Sequence, residues 1–287
     1  PTPLDDAVGA KYPRCMRWYR GKKVFITGGS SGIGRSAARL LAEAGADVAV
    51  AARNQERLDE TLAELERAGG AGQRFAVFAL DVRDAAAVAE VATEVVDALG
   101  GLDVLIVNQG YAVTGYAHTM DVQAFHDMMD TNYFGHVHVT RAFLPHFIER
   151  GSGHICLVSS MLGFLGCIGY TAYAASKHAI AGFARCLRNE LTPHGVKVSI
   201  CYPPTTDTPG LAKENEDKLP ETWALEEGSQ AMQPDDVARD MLTAIRKERF
   251  ETVPGVANRA IWVAQRFLPA VVDGFLDHDL KSYLRKR

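Results

Sequence analysis

The chain has 287 residues, 47% of them hydrophobic and 23% charged, which suits one large α/β domain and excludes a disordered chain. Its formal net charge is -4 with Lys and Arg scattered, so the basic stripe that a nucleic-acid backbone requires is excluded as well. The five cysteines form no CxxC pair, the nine histidines are dispersed and no HExxH occurs; the expectation is a cytoplasmic protein with reduced thiols and no metal.

Residues 1–20 contain no apolar run, and the segment reads as a surface extension and not as a signal peptide. From 21 to 255, short β-rich runs alternate with stretches of helical period. Strands are predicted at Lys23–Thr27, Asp47–Ala51, Phe75–Ala79, Asp103–Val107, His154–Ser159 and Lys197–Tyr202. Helices are predicted at Ile33–Ala44, Gln55–Ala68, Ala85–Ala98, Val122–Glu149 and Tyr173–Leu191. The repeated βαβαβ order predicts a doubly wound parallel sheet, a three-layer α/β/α Rossmann fold in a single domain.

The first strand runs into Thr27-Gly28-Gly29-Ser30-Ser31-Gly32-Ile33-Gly34, a glycine-rich turn opening a helix. Such a turn brings backbone N–H groups and the positive end of the helix to a pyrophosphate, so a dinucleotide is expected on Gly28, Ser30, Ser31, Gly32, Ile33 and Gly34. After the second strand, where an acid would hold the ribose 2′-OH of NAD, stand Ala52 and Arg53, with Arg57 one helical turn on. Two arginines there suit a 2′-phosphate and predict NADPH/NADP+; the alternative is a solvated helix face. Asn108-Gln109-Gly110 closes the fourth strand, and Asn132 lies inside a predicted helix, where asparagine is unfavourable unless it has a buried hydrogen-bonding task or packs in a polar core.

Tyr173 and Lys177 stand four residues apart, on one helix face. A phenol ordinarily titrates at about 10, so a nearby cation is expected to lower it and let it exchange a proton with a substrate oxygen near neutrality. Ser160, just beyond the fifth strand, is placed to hold that oxygen, with Ser159 as the rival for the role.

Beyond Tyr202 the prolines 203, 204 and 209 break regular structure, and the acidic segment 204–232 reads as a lid. Its acids Glu214, Glu216, Asp217 and Glu221 suit a protonated amine. Phe164, Leu165, Ile168, Leu211 and Trp223 are candidates for an apolar substrate site or for core. The tail, 256–287, mixes apolar and basic residues without the run of about 18 to 20 apolar residues that spans a bilayer. A membrane surface or a subunit interface, in a dimer or tetramer, are its two readings.

With these residues together, the chain resembles the short-chain dehydrogenase/reductase superfamily over residues 21–255, through TGxxxGxG at Thr27–Gly34, Asp81 after the third strand, Asn108-Gln109-Gly110, and the tetrad Asn132, Ser160, Tyr173 and Lys177. The resemblance implies that Lys177 also binds the nicotinamide ribose, that Asp81 meets the adenine and that Asn132 holds a water in a proton relay. Val82, Asn108, Gly110, Pro203, Thr206 and Thr208 join the cofactor-binding set it implies. Two departures stand out: Gln109 where a small residue is usual, and Pro203-Pro204 where Pro-Gly is usual. Tyr202-Pro203-Pro204 with Thr205–Gly210, Glu214-Asn215 and Pro220-Glu221-Thr222 is similar to the 3-ketodihydrosphingosine reductase branch, which implies reduction of a hydrophobic long-chain 2-amino-3-ketone. A reductase of a steroid, retinoid or 3-oxoacyl group, or a non-catalytic NADP-binding module, are the alternatives.

Overall fold

The computed structural model describes residues 16–226 and 230–285. Its strands are β1 (Lys23–Thr27), β2 (Asp47–Ala52), β3 (Phe75–Ala79), β4 (Val104–Val107), β5 (Gly153–Val158), β6 (Val196–Cys201) and β7 (Glu251–Thr252). All pair in parallel in the order β3-β2-β1-β4-β5-β6-β7. Six of the seven match the predicted runs to within a residue at each end. The seventh, with two residues, is too short to show a period.

The helices, in chain order, are α1 (Gly32–Glu43), α2 (Gln55–Ala68), α3 (Ala85–Leu99), α4 (Val122–Met128), α5 (Gly135–Arg150), α6 (Thr171–Leu191), α7 (Pro209–Glu214), α8 (Pro220–Glu226), α9 (Pro234–Arg246), α10 (Val256–Phe267) and α11 (Pro269–Arg285). Strand alternation sends neighbouring side chains to opposite layers. Val24, Ile26, Val48 and Val50 meet Leu41, Leu58 and Met241 of α1, α2 and α9. Phe25, Leu105, Val107 and Leu157 meet Val95, Phe143 and Ile180 of α3, α5 and α6. Helices therefore cover both faces, and the doubly wound three-layer reading holds.

Two expectations are corrected. The helix predicted over Val122–Glu149 is broken into α4 and α5 by a π-helical turn, Met129–Phe134. A wide turn of this kind re-aims side chains without ending the helix, and here it accompanies the burial of Thr131 and Asn132. The extension is not all surface: Met16 and Tyr19 are buried, and the Tyr19 hydroxyl donates to the Leu242 carbonyl at 2.7 Å. Residues 1–15, including Cys15, lie outside the described residues.

The lid segment carries α7 and α8, and a bridge between Thr206 and Met232 ties its start to its end. In the tail, α10 packs on α11, and α11 packs on α8. Among the described residues no helix is long and apolar enough to cross a membrane.

Candidate active site

Strand order reverses between β1 and β4, so the loops leaving their carboxyl ends open a crevice. Thr27 and Val107 are register partners at that end, which places the glycine turn beside Asn108. The Asn108 side-chain amide donates to the Gly28 carbonyl at 3.1 Å. Gly28 and Gly32 take φ of 66° and 52°, a left-handed backbone that a side chain would strain. A Cβ at Gly34 would overlap the Gly28 carbonyl and come within 2.6 Å of the Asn108 amide nitrogen. Ser31, extended at the amino end of α1, makes no side-chain cap. The first N–H groups of α1 are thereby left to an external acceptor, which is the property a dinucleotide phosphate needs.

Gln109 has a structural reason to be large. The Thr27 hydroxyl donates to its side-chain oxygen, and its Nε2 meets His136 Nδ1 at 3.1 Å. Because an amide nitrogen only donates, Nδ1 is the acceptor and the ring proton sits on Nε2. That nitrogen is buried with no partner among the described residues. Burial pushes His136 down to about 3, so the ring is neutral.

At the carboxyl end of β5, Ser159 and Ser160 have different tasks. Ser159 is buried and its hydroxyl donates to the Lys177 carbonyl at 2.9 Å, fastening the strand end to α6. Ser160 caps the short turn Met161–Gly163, accepting from the Leu162 N–H at 3.2 Å, and its hydroxyl is a hydrogen-bonding neighbour of the Tyr173 hydroxyl. Lys177 is 3% exposed, with its ammonium 5.7 Å from the Tyr173 ring centroid and 3.2 Å from the Val158 carbonyl. A Cβ on Gly110 would meet the Lys177 ammonium at 3.0 Å and Asn132 Oδ1 at 3.1 Å, so these three elements converge.

The electrostatics differ from the sequence expectation. Desolvation pushes the Tyr173 phenol up, outweighing the lowering by Ser160, and Glu214 raises it further; the Lys177 cation does not set the direction. Burial pushes Lys177 itself down to about 7. The cause is common to both: a water-poor site penalises the phenolate and the ammonium alike.

Asn132 is fully buried, and its side chain clamps the Tyr111 backbone. Oδ1 accepts the Tyr111 N–H at 3.0 Å, and Nδ2 donates to the Tyr111 carbonyl at 2.9 Å and to the Ser176 hydroxyl at 3.0 Å. Both amide hydrogens are thus engaged within the protein.

Other predicted cofactor residues ring the crevice. Thr208 caps α7 and its methyl covers Gly32, while the Pro203 carbonyl accepts from the Met161 N–H at 3.0 Å. Thr206 is buried and donates to the Pro204 carbonyl at 2.7 Å. Ser30 and Val82 are buried and Ile33 half-buried. Asp81 is paired with Arg83 at 2.5 Å, and that bond holds its carboxyl below the usual range. Arg53 and Arg57 are exposed at the carboxyl end of β2 and the start of α2, with Arg53 near enough to act on Asp81 and Tyr111.

Of the lid acids, Glu216 and Asp217 are exposed and Glu221 accepts from the Tyr116 hydroxyl at 2.8 Å. Two residues not singled out in the sequence, Lys218 and Glu226, form the centre of the lid. Lys218 has a side chain 1% exposed, 2.8 Å from Glu226 and 3.4 Å from Glu214. Phe164 stacks edge-on against Tyr202 at 5.3 Å between ring centroids, which makes it core. Trp223 is 47% exposed.

Residues 22–219 match the family model described as short chain dehydrogenase. The chain is 37% identical to a 3-ketodihydrosphingosine reductase of Bos taurus over 77% of its own length and 68% of that protein. It is 32% identical to one from Dictyostelium discoideum over 90% and 82% of the two chains. In fold it is similar to a short chain dehydrogenase/reductase from Burkholderia phymatum, crystallised in complex with NAD, with a TM-score of 0.78 and 24% identity over 89% of this chain and 95% of that one. Sheet order, glycine turn and matched residues agree: the chain belongs to the short-chain dehydrogenases, oxidoreductases that interconvert C=O and CH–OH groups.

Proposed function

We propose that the protein reduces the C3 ketone of a long-chain 2-amino-3-keto alcohol, 3-ketodihydrosphingosine, with NADPH. The observation that carries the chemistry is the convergence of Ser160, Tyr173 and Lys177 beside Gly110, at the mouth of the crevice that the uncapped α1 also faces. The substrate rests on the relatives named above. The choice of NADPH rests on exposed Arg53 and Arg57, which offer two positive charges where a 2′-phosphate would lie.

The residues present fit a dinucleotide. The Gly28–Gly34 turn with the first turn of α1 would hold its pyrophosphate, Asp81 and Val82 would border the adenine, and Lys177 with Asn108 and Gly110 would border the nicotinamide end. When bound, the nicotinamide supplies the hydride. Ser160 holds the ketone oxygen through its hydroxyl, and Tyr173 delivers the proton to that oxygen as it gains negative charge. Desolvation keeps the phenol protonated until then, which suits a reductase. Lys177, in contact range of the site and easily deprotonated, serves as the next proton carrier behind Tyr173.

Val256 and Phe267 of α10, Val271 and Phe275 of α11, and Leu268 between the two helices are exposed and support the peripheral membrane reading of the tail. Flotation of the full chain on anionic liposomes, lost in a Phe267→Asp/Phe275→Asp variant, is the expected result; a dimer lost instead makes this face a subunit interface.

The primary test follows NADPH oxidation with 3-ketodihydrosphingosine. Turnover by the wild type and none by Tyr173→Phe, with NADPH affinity retained, is the expected outcome. NADPH binding without turnover of this ketone, but with turnover of a steroid or 3-oxoacyl ketone, reassigns the substrate.

A further inference from the structure

The lid brings one carboxylate to the reacting centre in an unusual electrostatic state. Glu214, the last residue of α7, accepts a hydrogen bond from the Tyr170 hydroxyl, and the Tyr170 ring lies 6.0 Å from that of Tyr173. Its cationic neighbour Lys218 is shared. The ammonium stands 2.8 Å from Glu226 and 3.4 Å from Glu214, so contact-distance neutralisation goes to Glu226. Lys218 is held there by nearly complete burial and by the Trp223 ring, whose centroid is 5.0 Å away. Glu214 is left half-buried, anchored by Tyr170 and sharing its one ammonium with the closer Glu226.

This placement answers to the chemistry of the substrate. In a 2-amino-3-ketone the amine is on the carbon next to the reacting carbonyl, so a carbonyl oxygen held by Ser160 and Tyr173 puts an ammonium within one carbon of that position. Of the lid acids, Glu216 and Asp217 point their charge to solvent, and Glu221 serves Tyr116. Glu214 is the carboxylate whose field reaches the Tyr173 hydroxyl. The attraction between a carboxylate and an ammonium is stronger in such a water-poor site than on the surface.

We propose that Glu214, positioned by Tyr170 and relieved of full neutralisation because Lys218 favours Glu226, is the specificity-determining residue that receives the 2-ammonium group of the substrate. This rests on the reading of the substrate given above. Bound ammonium brings the Glu214 carboxylate its missing counter-charge, whereas a ketone without the amine gains nothing from it and an anionic competitor is repelled.

The experiment compares kcat/KM for 3-ketodihydrosphingosine with that for the same ketone lacking the 2-amino group, in the wild type, Glu214→Gln and Glu216→Gln. Glutamine keeps an acceptor for Tyr170, and an unfolding midpoint checks that the lid region is intact. The expected result is a fall of about tenfold or more in the ratio of the two kcat/KM values for Glu214→Gln and an unchanged ratio for Glu216→Gln. An unchanged ratio for Glu214→Gln, with wild-type turnover of both ketones, overturns the role of Glu214 and leaves the reductase reading standing. Equal falls in both variants also overturn it, in favour of a general lid field. Absence of wild-type turnover with either ketone overturns both readings together. Tyr170→Phe provides the second variant: it keeps the ring and removes the hydroxyl that Glu214 and, at 3.2 Å, Glu226 accept from, so the ratio shifts through KM and not through kcat.

Discussion

The methyl group of Thr208 lies over Gly32, so close that a Cβ on that glycine would stand 2.8 Å from it. The residue capping the first lid helix is thus in contact with the turn proposed to hold the dinucleotide phosphates. Gly32→Ala adds this collision to a φ of 52°, where a side chain costs roughly 1–2 kcal/mol. Expected are raised KM values for both NADPH and ketone. Thr208→Ser in that background removes the methyl and recovers the ketone KM alone, since the strain in the turn remains; steady-state kinetics with each substrate varied in turn checks this.

Arg53 and Arg57 make a separate prediction. Both are exposed, so each guanidinium contributes as a solvent-screened charge. Arg53→Ala should raise KM for NADPH about tenfold and leave KM for NADH unmoved, the difference being the 2′-phosphate. Equal KM changes for the two cofactors would show that Arg53 serves the fold and not the phosphate.

Lys177 predicts how stability varies with pH. It titrates at about 7 in the folded protein against 10.5 as its ordinary value. Between those limits the unfolded chain binds the additional proton at this site, so the Lys177 contribution to stability rises with pH across the window, against the opposite contribution of the buried Cys156, Cys167 and Cys201 thiols above their ordinary 9, and the burden of the buried ammonium is largest below it. Lys177→Met removes this component. The stability advantage of the variant should shrink by up to about 5 kcal/mol as pH rises through the window, read from urea unfolding. Tyr173 is pushed up from an ordinary 10, so its own contribution enters only at the alkaline end of the window, with the opposite sign.

Acid acts through other groups. Burial holds His136 at about 3 and His154 at about 4, against an ordinary 6.5. As pH falls below that ordinary value the unfolded chain binds protons that the folded chain refuses, and stability drops with a slope approaching two protons. His136→Asn with His154→Asn should flatten that slope. Gln109→Ala, which leaves His136 Nδ1 and the Thr27 hydroxyl without their shared partner, should lower stability at neutral pH by about 1–3 kcal/mol and leave the acid slope in place.

The strands could be read because each combines a short apolar run with bounding turn residues, and the glycine turn because its position between β1 and α1 is a sequence property. The break between α4 and α5 could not, since a π turn adds to the helix without disturbing the apolar spacing on either side. Gln109 stood out as a departure, yet nothing marked His136 as its partner, because the pairing crosses from the end of β4 to the start of α5. Lys218 and Glu226 looked like any charged surface; only the folded lid makes Lys218 inaccessible. The direction of the Tyr173 shift was misjudged for the same reason, because spacing reveals a cation but not the loss of water around it.

Ser159 joins the end of β5 to the carbonyl of Lys177, and Gly163 lies so tightly on that hydroxyl that no side chain fits. The segment just beyond β5 that carries Ser160 is thereby tied to the helix carrying Tyr173 and Lys177, which fixes the spacing of the three residues in the folded chain. Substrate choice would then rest on the segment proposed as the lid, α7 and α8. Exchanging residues 209–226 is expected to change which carbonyl is accepted while leaving the spacing of Ser160, Tyr173 and Lys177 as it was.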